Sequence, residues 1–258
     1  MGILNVTPDS FSDGGQFFDT QRAIEHGLSM VEAGVSLIDI GGESTRPGAD
    51  KVSQSEEISR VTPVIEALVA QTSVPISIDT SNPEVMVAAV TAGASMINDV
   101  RALQRHGALE AAADLKVPVC LMHMQGEPDT MQVDPRYNDV VTEVADFLKA
   151  RVDCAVDAGI PLQDIVIDPG FGFGKNLEHN LRLLDELAAL LQIGVPVLAG
   201  LSRKSMIVKI LGYDPQDRRP SSLALALIAT QNGASILRVH DVRETVEALS
   251  VLKAIRNL

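Results

Sequence analysis

The sequence has no tryptophan and only 3% aromatic residues, so Val, Ile, Leu and Ala have to fill its core. Cysteine is equally scarce: Cys120 and Cys154 form no metal or redox spacing, and Cys120, inside the apolar run 117–122, reads as a buried reduced thiol. Positive charge is in deficit. The 21 Lys and Arg face 34 Asp and Glu, a net charge of −13 that excludes a general nucleic-acid or anionic-membrane surface. A few placed cations can still hold an anionic ligand. No apolar run is long enough to span a bilayer. The start, Met1-Gly2-Ile3-Leu4-Asn5, carries no basic segment and no signal-like apolar region. Together these absences predict a cytoplasmic protein. The histidines His26, His106, His123 and His179 build no metal site with the cysteines, and His123 reads as a satisfied histidine near the end of a strand.

What the sequence does have is alternation. Short apolar runs at 2–6, 36–40, 75–79, 95–98, 117–122, 164–168, 195–200 and 235–239 alternate with helical patterns at 20–33, 53–70, 83–92, 107–114, 137–158, 177–191, 221–232 and 242–257. The runs are continuous and rich in β-branched residues, which fits parallel strands covered on both faces. Asn82 is placed to cap the third helix ahead of Pro83, and Gly34, Gly93, Gly159 and Gly233 end helices just before the next strand. Eight βα units in 258 residues predict a single-domain (β/α)8 TIM barrel over residues 1–258, with a doubly wound open sheet as the alternative.

In a TIM barrel the active site lies at the carboxyl ends of the strands. Here those ends carry Asn5, Asp39, Asp79, Asn98 with Asp99, His123, Asp168, the run Ser202-Arg203-Lys204-Ser205, and Arg238 with His240. The opposite ends carry Val35, Val74, Ala94, Val117 and Val195. That asymmetry separates a catalytic face from a stability face. The second strand ends in Gly41-Gly42 and then presents Glu43, Ser44, Thr45 and Arg46 before turning at Pro47-Gly48, as a ligand loop does. The loop after strand one, 5–15, is too polar and glycine-rich for core and long enough to be a lid. Asp79 and Asn98 place a carboxylate and an amide on neighbouring strands, a pair suited to a flat heterocycle with ring N–H donors; Asp99 suits a structural role. Arg203 and Lys204 together bring two cations to the end of the seventh strand, and Arg238 and His240 bring two more donors to the eighth, where TIM barrels often bind phosphate.

The motifs N-V-T-P-D-S-F-S-D-G-G, G-G-E-S-T-R-P-G, I-S-I-D-T, I-N-D-V, D-P-G-F-G-F-G-K, S-R-K-S and R-V-H-D-V, in this order, resemble bacterial dihydropteroate synthases, of the pterin-binding TIM-barrel family, over essentially the whole chain. The resemblance implies a cytoplasmic, homodimeric transferase of folate biosynthesis and a target of sulfonamides. Such an enzyme joins p-aminobenzoate to 6-hydroxymethyl-7,8-dihydropterin diphosphate and releases pyrophosphate with Mg²⁺ present. It further implies that Asp79, Asn98, Asp168 and Lys204 hold the pterin. Asn5, Thr45, Arg46, Arg238 and His240 would hold the diphosphate, with Asn5 also touching Mg²⁺. Phe11, Thr45, Arg46, Pro47 and Ser205 would border the p-aminobenzoate pocket. Catalysis would fall to Asp9, facing the developing cation, together with Asp79, Asp168, Lys204 and Arg238.

One departure concerns the barrel floor. The family usually has a short segment ahead of strand one, and this chain begins almost inside that strand; the difference bears on the floor's seal and not on the site. Two other readings share a pterin pocket: a corrinoid-linked methyltetrahydrofolate methyltransferase, opposed by S-R-K-S and S-T-R-P-G, and a catalytically inactive pterin-binding barrel, opposed by the intact first two loops. A class I aldolase would use Lys204 as a Schiff base.

Overall fold

The computed structural model describes residues 1–7, 16–43, 52–126 and 130–256, the side chains of residues 16–19 excepted. All eight expected strands are present, as β1 (Gly2–Asn5), β2 (Ile38–Gly41), β3 (Ile76–Asp79), β4 (Met96–Asp99), β5 (Val119–Met122), β6 (Ile165–Asp168), β7 (Leu198–Ala199) and β8 (Ile236–Leu237). β1 to β6 pair in parallel and in chain order, and β7 pairs with β8. Single parallel bridges, Ile167 to Val197 and Gly2 to Val239, join the two sheets at both seams and close a (β/α)8 barrel.

The continuous apolar runs hide a period of two that the barrel reveals. Ile38, Ile40, Ile78, Ile97, Leu121 and Ile167 pack outward into the large core shared with the helices. The alternate residues Met96, Cys120 and Leu198, with Leu37, Val166 and Ile236, form a small inner cluster. Further along, the same inward face carries Asp39, Asp79, Asn98, Asp168 and Arg238. Apolar packing thus fills the lower barrel and leaves polar groups at its carboxyl end.

The helices between the strands are α1 (Gln16–Glu32), α2 (Gln54–Val69), α3 (Pro83–Thr91), α4 (Ala108–Leu115), α5 (Val140–Asp157), α6 (Leu177–Asp185), α7 (Met206–Leu211), α8 (Arg219–Gln231) and α9 (Val242–Arg256). Their starts follow local chemistry. Ser53 accepts from the Glu56 N–H and Asp139 from the Thr142 N–H, while Asn176 and His179 form a reciprocal capping box.

Two expectations need correction, and one element was not foreseen. Asn82 stands at the cap position of α3 without a capping bond: its Nδ2 donates to Glu57 of α2 at 2.5 Å, and its Oδ1 is buried without a partner among the described residues. The helix expected over 177–191 breaks at Glu186 and resumes as a 3₁₀ segment, Leu187–Ile193, whose Leu187 and Leu190 are buried three residues apart, the repeat of that tighter helix. The short α7, inside the loop after β7, was not expected.

Candidate active site

The carboxyl end of the barrel is organised in two parts. In the first, Arg238 follows β8 and reaches across to β2 and β3. Its Nε donates to Asp39 Oδ2 at 2.6 Å and an Nη donates to Asp79 Oδ2 at 2.6 Å. Asn98 donates to the same Asp39 oxygen at 3.0 Å. Burial pushes Asp79 up to about 7, opposed by the Arg238 guanidinium. Burial also works against the charge of Arg238, but the carboxylates of Asp39 and Asp79 outweigh it and raise its pKa. Gly41 lies between Asn5 and Asp79: a Cβ there would be 3.7 Å from Asn5 Oδ1 and 3.8 Å from Asp79 Oδ2, ordinary contact distances.

The second part is built on the alternating glycines after β6. Gly170, Gly172 and Gly174 all have positive φ, of 67°, 78° and 59°. A Cβ would meet the His123 carbonyl oxygen at 1.9 Å from Gly170 and the Gln125 carbonyl oxygen at 2.4 Å from Gly174. The β6 loop therefore lies flat on the backbone that follows β5, an approach only glycine permits. At Gly172 a Cβ would meet the Lys204 chain at 3.2 Å, so this glycine makes room for that lysine. Lys204 donates to the Phe171 carbonyl, and its ammonium sits 4.6 Å from the Phe173 ring centroid. Asp168 accepts from the Gly170 N–H at 2.7 Å. Burial lowers Lys204 to about 8 and raises Asp168; in each case the other's charge opposes the shift. Gly200 joins the two parts, since a Cβ there would lie 3.9 Å from Arg238 Cβ and 4.0 Å from Asp168 Oδ2.

Beneath the glycine loop Lys175 is 2% exposed and acts as a pin. Its ammonium donates to Gly170 O at 3.1 Å, to Phe173 O at 3.0 Å and to His123 Nδ1 at 2.8 Å. The His123 carbonyl lies a further 3.5 Å from Nζ, so one buried amine, whose pKa burial pushes well below that of a free lysine, ties two loops together. Burial, then the nearby Lys175, depresses His123 to about 3, so its ring stays neutral and accepts. His123 also packs edge-on to Phe147 with ring centroids 4.9 Å apart. The satisfied histidine expected from sequence is what the fold contains.

Asp79, Asn98, Asp168, Lys204 and Arg238 are thus brought to one mouth, with Asn5 at its edge. His240 is held through Ser202, whose hydroxyl stands 3.1 Å from Nδ1 and accepts from the His240 N–H at 3.2 Å. Ser205 is exposed at the start of α7. Arg203, next to Lys204, turns away and pairs with Asp241 through Nε at 3.0 Å. Asp99 is structural, as expected: it accepts from the N–H groups of Arg101 and Leu103 at 2.8 Å each. Asp9, Phe11, Thr45, Arg46 and Pro47 lie outside the described residues. Sequence reasoning assigned no role to Asp39, Ser202 or Lys175. Asp39 was visible as a strand-end carboxylate; nothing local distinguished Lys175 from a solvated lysine.

Ionised Asp79 and Asp168 are acceptors, the Asn98 amide is both donor and acceptor, and Lys204 and Arg238 are donors. Around one opening they suit a planar ring rich in N–H groups and bearing a carbonyl, with an anionic substituent toward Arg238. Among the described residues no group of three or more His, Cys, Asp and Glu could hold a metal ion. Asn5 supplies one hard oxygen, which fits the way Mg²⁺ is bound through few protein ligands and the phosphates of a substrate.

Comparison with known proteins agrees with this chemistry. Residues 1–240 match the family of pterin binding enzymes. Dihydropteroate synthase of Escherichia coli K12 is 53% identical over 254 residues, which is 98% of this chain and 90% of that protein. A solved structure of the Xanthomonas albilineans dihydropteroate synthase with 4-aminobenzoic acid superposes with a TM-score of 0.94 at 55% identity, covering 100% of this chain and 93% of that one. The Yersinia pestis dihydropteroate synthase in a sulfonamide drug complex gives 0.94 at 52% identity, covering 100% and 94%. The chain belongs to the pterin-binding enzyme family and, within it, to the dihydropteroate synthases.

Proposed function

We propose that residues 1–258 form one catalytic domain that condenses 6-hydroxymethyl-7,8-dihydropterin diphosphate with p-aminobenzoate to give 7,8-dihydropteroate and pyrophosphate. The observation that carries the site assignment is the convergence of Asp79, Asn98, Asp168 and Lys204 with Arg238 around one mouth. Asp79 and Asp168 accept from pterin N–H groups, Asn98 bonds the ring edge, and Lys204 donates to ring acceptors. Departure of the diphosphate breaks the bond between the pterin methylene carbon and its oxygen. The aniline nitrogen of p-aminobenzoate forms the new C–N bond and gives up a proton. No protein nucleophile is needed.

Arg238 and His240 stabilise the charge gathering on the leaving diphosphate, with Asn5, Thr45 and Arg46 as further contacts. The pair of Arg238 with Asp79 in the free protein means that the substrate has to share or displace it. Mg²⁺, when bound through Asn5 and the diphosphate, would neutralise phosphate charge. Asp9 faces the developing cation, and Phe11, Thr45, Arg46, Pro47 and Ser205 border the p-aminobenzoate.

We infer homodimeric assembly and a cytoplasmic location; exposed Ile210, Leu211 and Tyr213 around the end of α7 support an association surface. No described helix is long and apolar enough to cross a membrane. Pyrophosphate release that depends on both p-aminobenzoate and the pterin diphosphate tests the activity. Its absence with folded protein and Mg²⁺ supplied would refute it. Sedimentation at micromolar concentration tests the dimer.

A further inference from the structure

Asp39 is 0% exposed, yet two site residues hang from it. In register it is level with Ser77 and Met96, while Gly41, Asp79 and Asn98 form the next level toward the mouth. It therefore stands one pleat below the groups assigned to the substrate and does not itself line the opening. One of its oxygens, Oδ2, accepts both from Asn98 Nδ2 at 3.0 Å and from Arg238 Nε at 2.6 Å. The other, Oδ1, is buried without a hydrogen-bond partner among the described residues. A bare buried carboxylate oxygen is costly, and a residue serving stability alone would be poorly chosen here.

The consequences for its two partners are specific. With Nδ2 bonded to a carboxylate below, the Asn98 amide has one orientation, and its carbonyl oxygen and second amide hydrogen are left for a ligand. With Nε bonded below and an Nη bonded to Asp79, the plane of the Arg238 guanidinium is fixed and its other Nη is left for an anion.

We propose that Asp39 is a positioning residue that sets the Asn98 amide and the Arg238 guanidinium from one shared oxygen, and so couples recognition of the pterin ring to recognition of the diphosphate. This rests on the assignment of Asn98 to the ring and Arg238 to the diphosphate. Loss of the shared anchor frees both side chains at once, so one substitution below the site weakens two subsites above it.

The test is calorimetric titration of the full-length protein with 6-hydroxymethyl-7,8-dihydropterin and, with Mg²⁺, its diphosphate ester. The alcohol reads the ring subsite. The excess affinity of the ester reads the diphosphate subsite. Asn98→Ala should weaken both ligands alike, and Arg238→Met should reduce mainly the ester's excess; wild-type binding by both variants would sink the site assignment itself. Asp39→Ala should weaken the alcohol on the order of tenfold and also reduce the ester's excess. Asp39→Asn, which still offers one acceptor oxygen to both partners, should recover alcohol binding to within about threefold of wild type. In the pair Asp39→Ala with Asn98→Ala, the alcohol should bind no more weakly than to Asn98→Ala alone. A merely structural role would lower Tm without moving the affinities.

If Asn98→Ala and Arg238→Met lose binding while Asp39→Ala stays within about twofold of wild type for both ligands, or if its loss adds fully to that of Asn98→Ala, the positioning role is wrong and the site assignment survives. Should Asp39→Ala not fold, Asp39→Ser takes its place. Failure of both to fold assigns the residue to the fold and overturns the proposal.

Discussion

The two parts of the active site hold their charges by opposite means. Around Asp79 and Arg238 the charges hold one another: side chains from β2, β3, β4 and β8 meet in a chain of ion pairs and an amide. Around Asp168 and Lys204 the backbone does the holding. A glycine loop supplies the N–H for the carboxylate and the carbonyl for the lysine, and Lys175 fastens it from below. Side-chain ion pairs can exchange partners when a charged ligand arrives, whereas the glycine loop is held by close contact with the backbone after β5 and by Lys175. The first part is suited to respond to the substrate and the second to wait for it in final form.

The largest effect should come from breaking the rigid part. Gly170→Ala combines φ of 67° with a Cβ 1.9 Å from a carbonyl oxygen, so it should cost about 3 kcal/mol or more, seen as a collapse of Tm or loss of folded protein. Normal stability would mean that the loop can lift off the β5 backbone after all. Next in size is Asp168→Asn. Its oxygen can still accept from the Gly170 N–H, so the fold should persist while turnover falls on the order of tenfold to a hundredfold through loss of a charge-assisted bond. A variant with unchanged turnover and pterin affinity removes Asp168 from the site.

Lys175→Met sharpens the comparison from beneath. It strands His123 Nδ1 and two carbonyls, and should lower stability by about 1 to 3 kcal/mol, measured by urea unfolding. Because the loop carries the Lys204 acceptor, pterin affinity should fall as well. Stability lost with pterin affinity intact would show that the pin does not reach the site.

The smallest effect is a dependence on pH. Asp79 at about 7 forms charge-assisted bonds with pterin N–H groups only when ionised, and Lys204 at about 8 carries its charge mainly below that value. Dihydropterin affinity should rise through about pH 7 and decline beyond about pH 8, and Asp79→Asn should erase the rising limb. Stability of the free protein runs the other way. The folded value of Asp79 lies above its ordinary 3.8, so its contribution is complete below about pH 4 and is lost as pH rises to about 7. Asp79→Asn should therefore raise Tm relative to wild type more at about pH 8 than at about pH 5. Equal differences at both would place the Asp79 pKa near its ordinary value.

The fold was legible because apolar runs alternated with helical patterns and polar residues gathered at or just beyond one end of the strands. Asp79, Asn98, Asp168 and Arg238 could be named from their positions at those ends alone. Asp39 and Lys175 could not be given roles, because both depend on partners distant in sequence. Arg238 lies 199 residues from Asp39, and His123 lies 52 from Lys175. The side chain of Asn82 is likewise held from a distance, its amide donating to a buried glutamate 25 residues earlier while no cap forms. Arg203 and Lys204 read as one cationic patch, yet Asp241 turns the first away.

The glycine loop also bears on drug resistance. A wall built of Gly170, Gly172 and Gly174 presents peptide groups, and a replacement at any of the three meets an unfavourable φ, with a steric block of backbone at the first and last. An inhibitor whose contacts are spent on that wall would leave selection few single-residue exits. One that leans on side chains leans on groups that can be exchanged one mutation at a time.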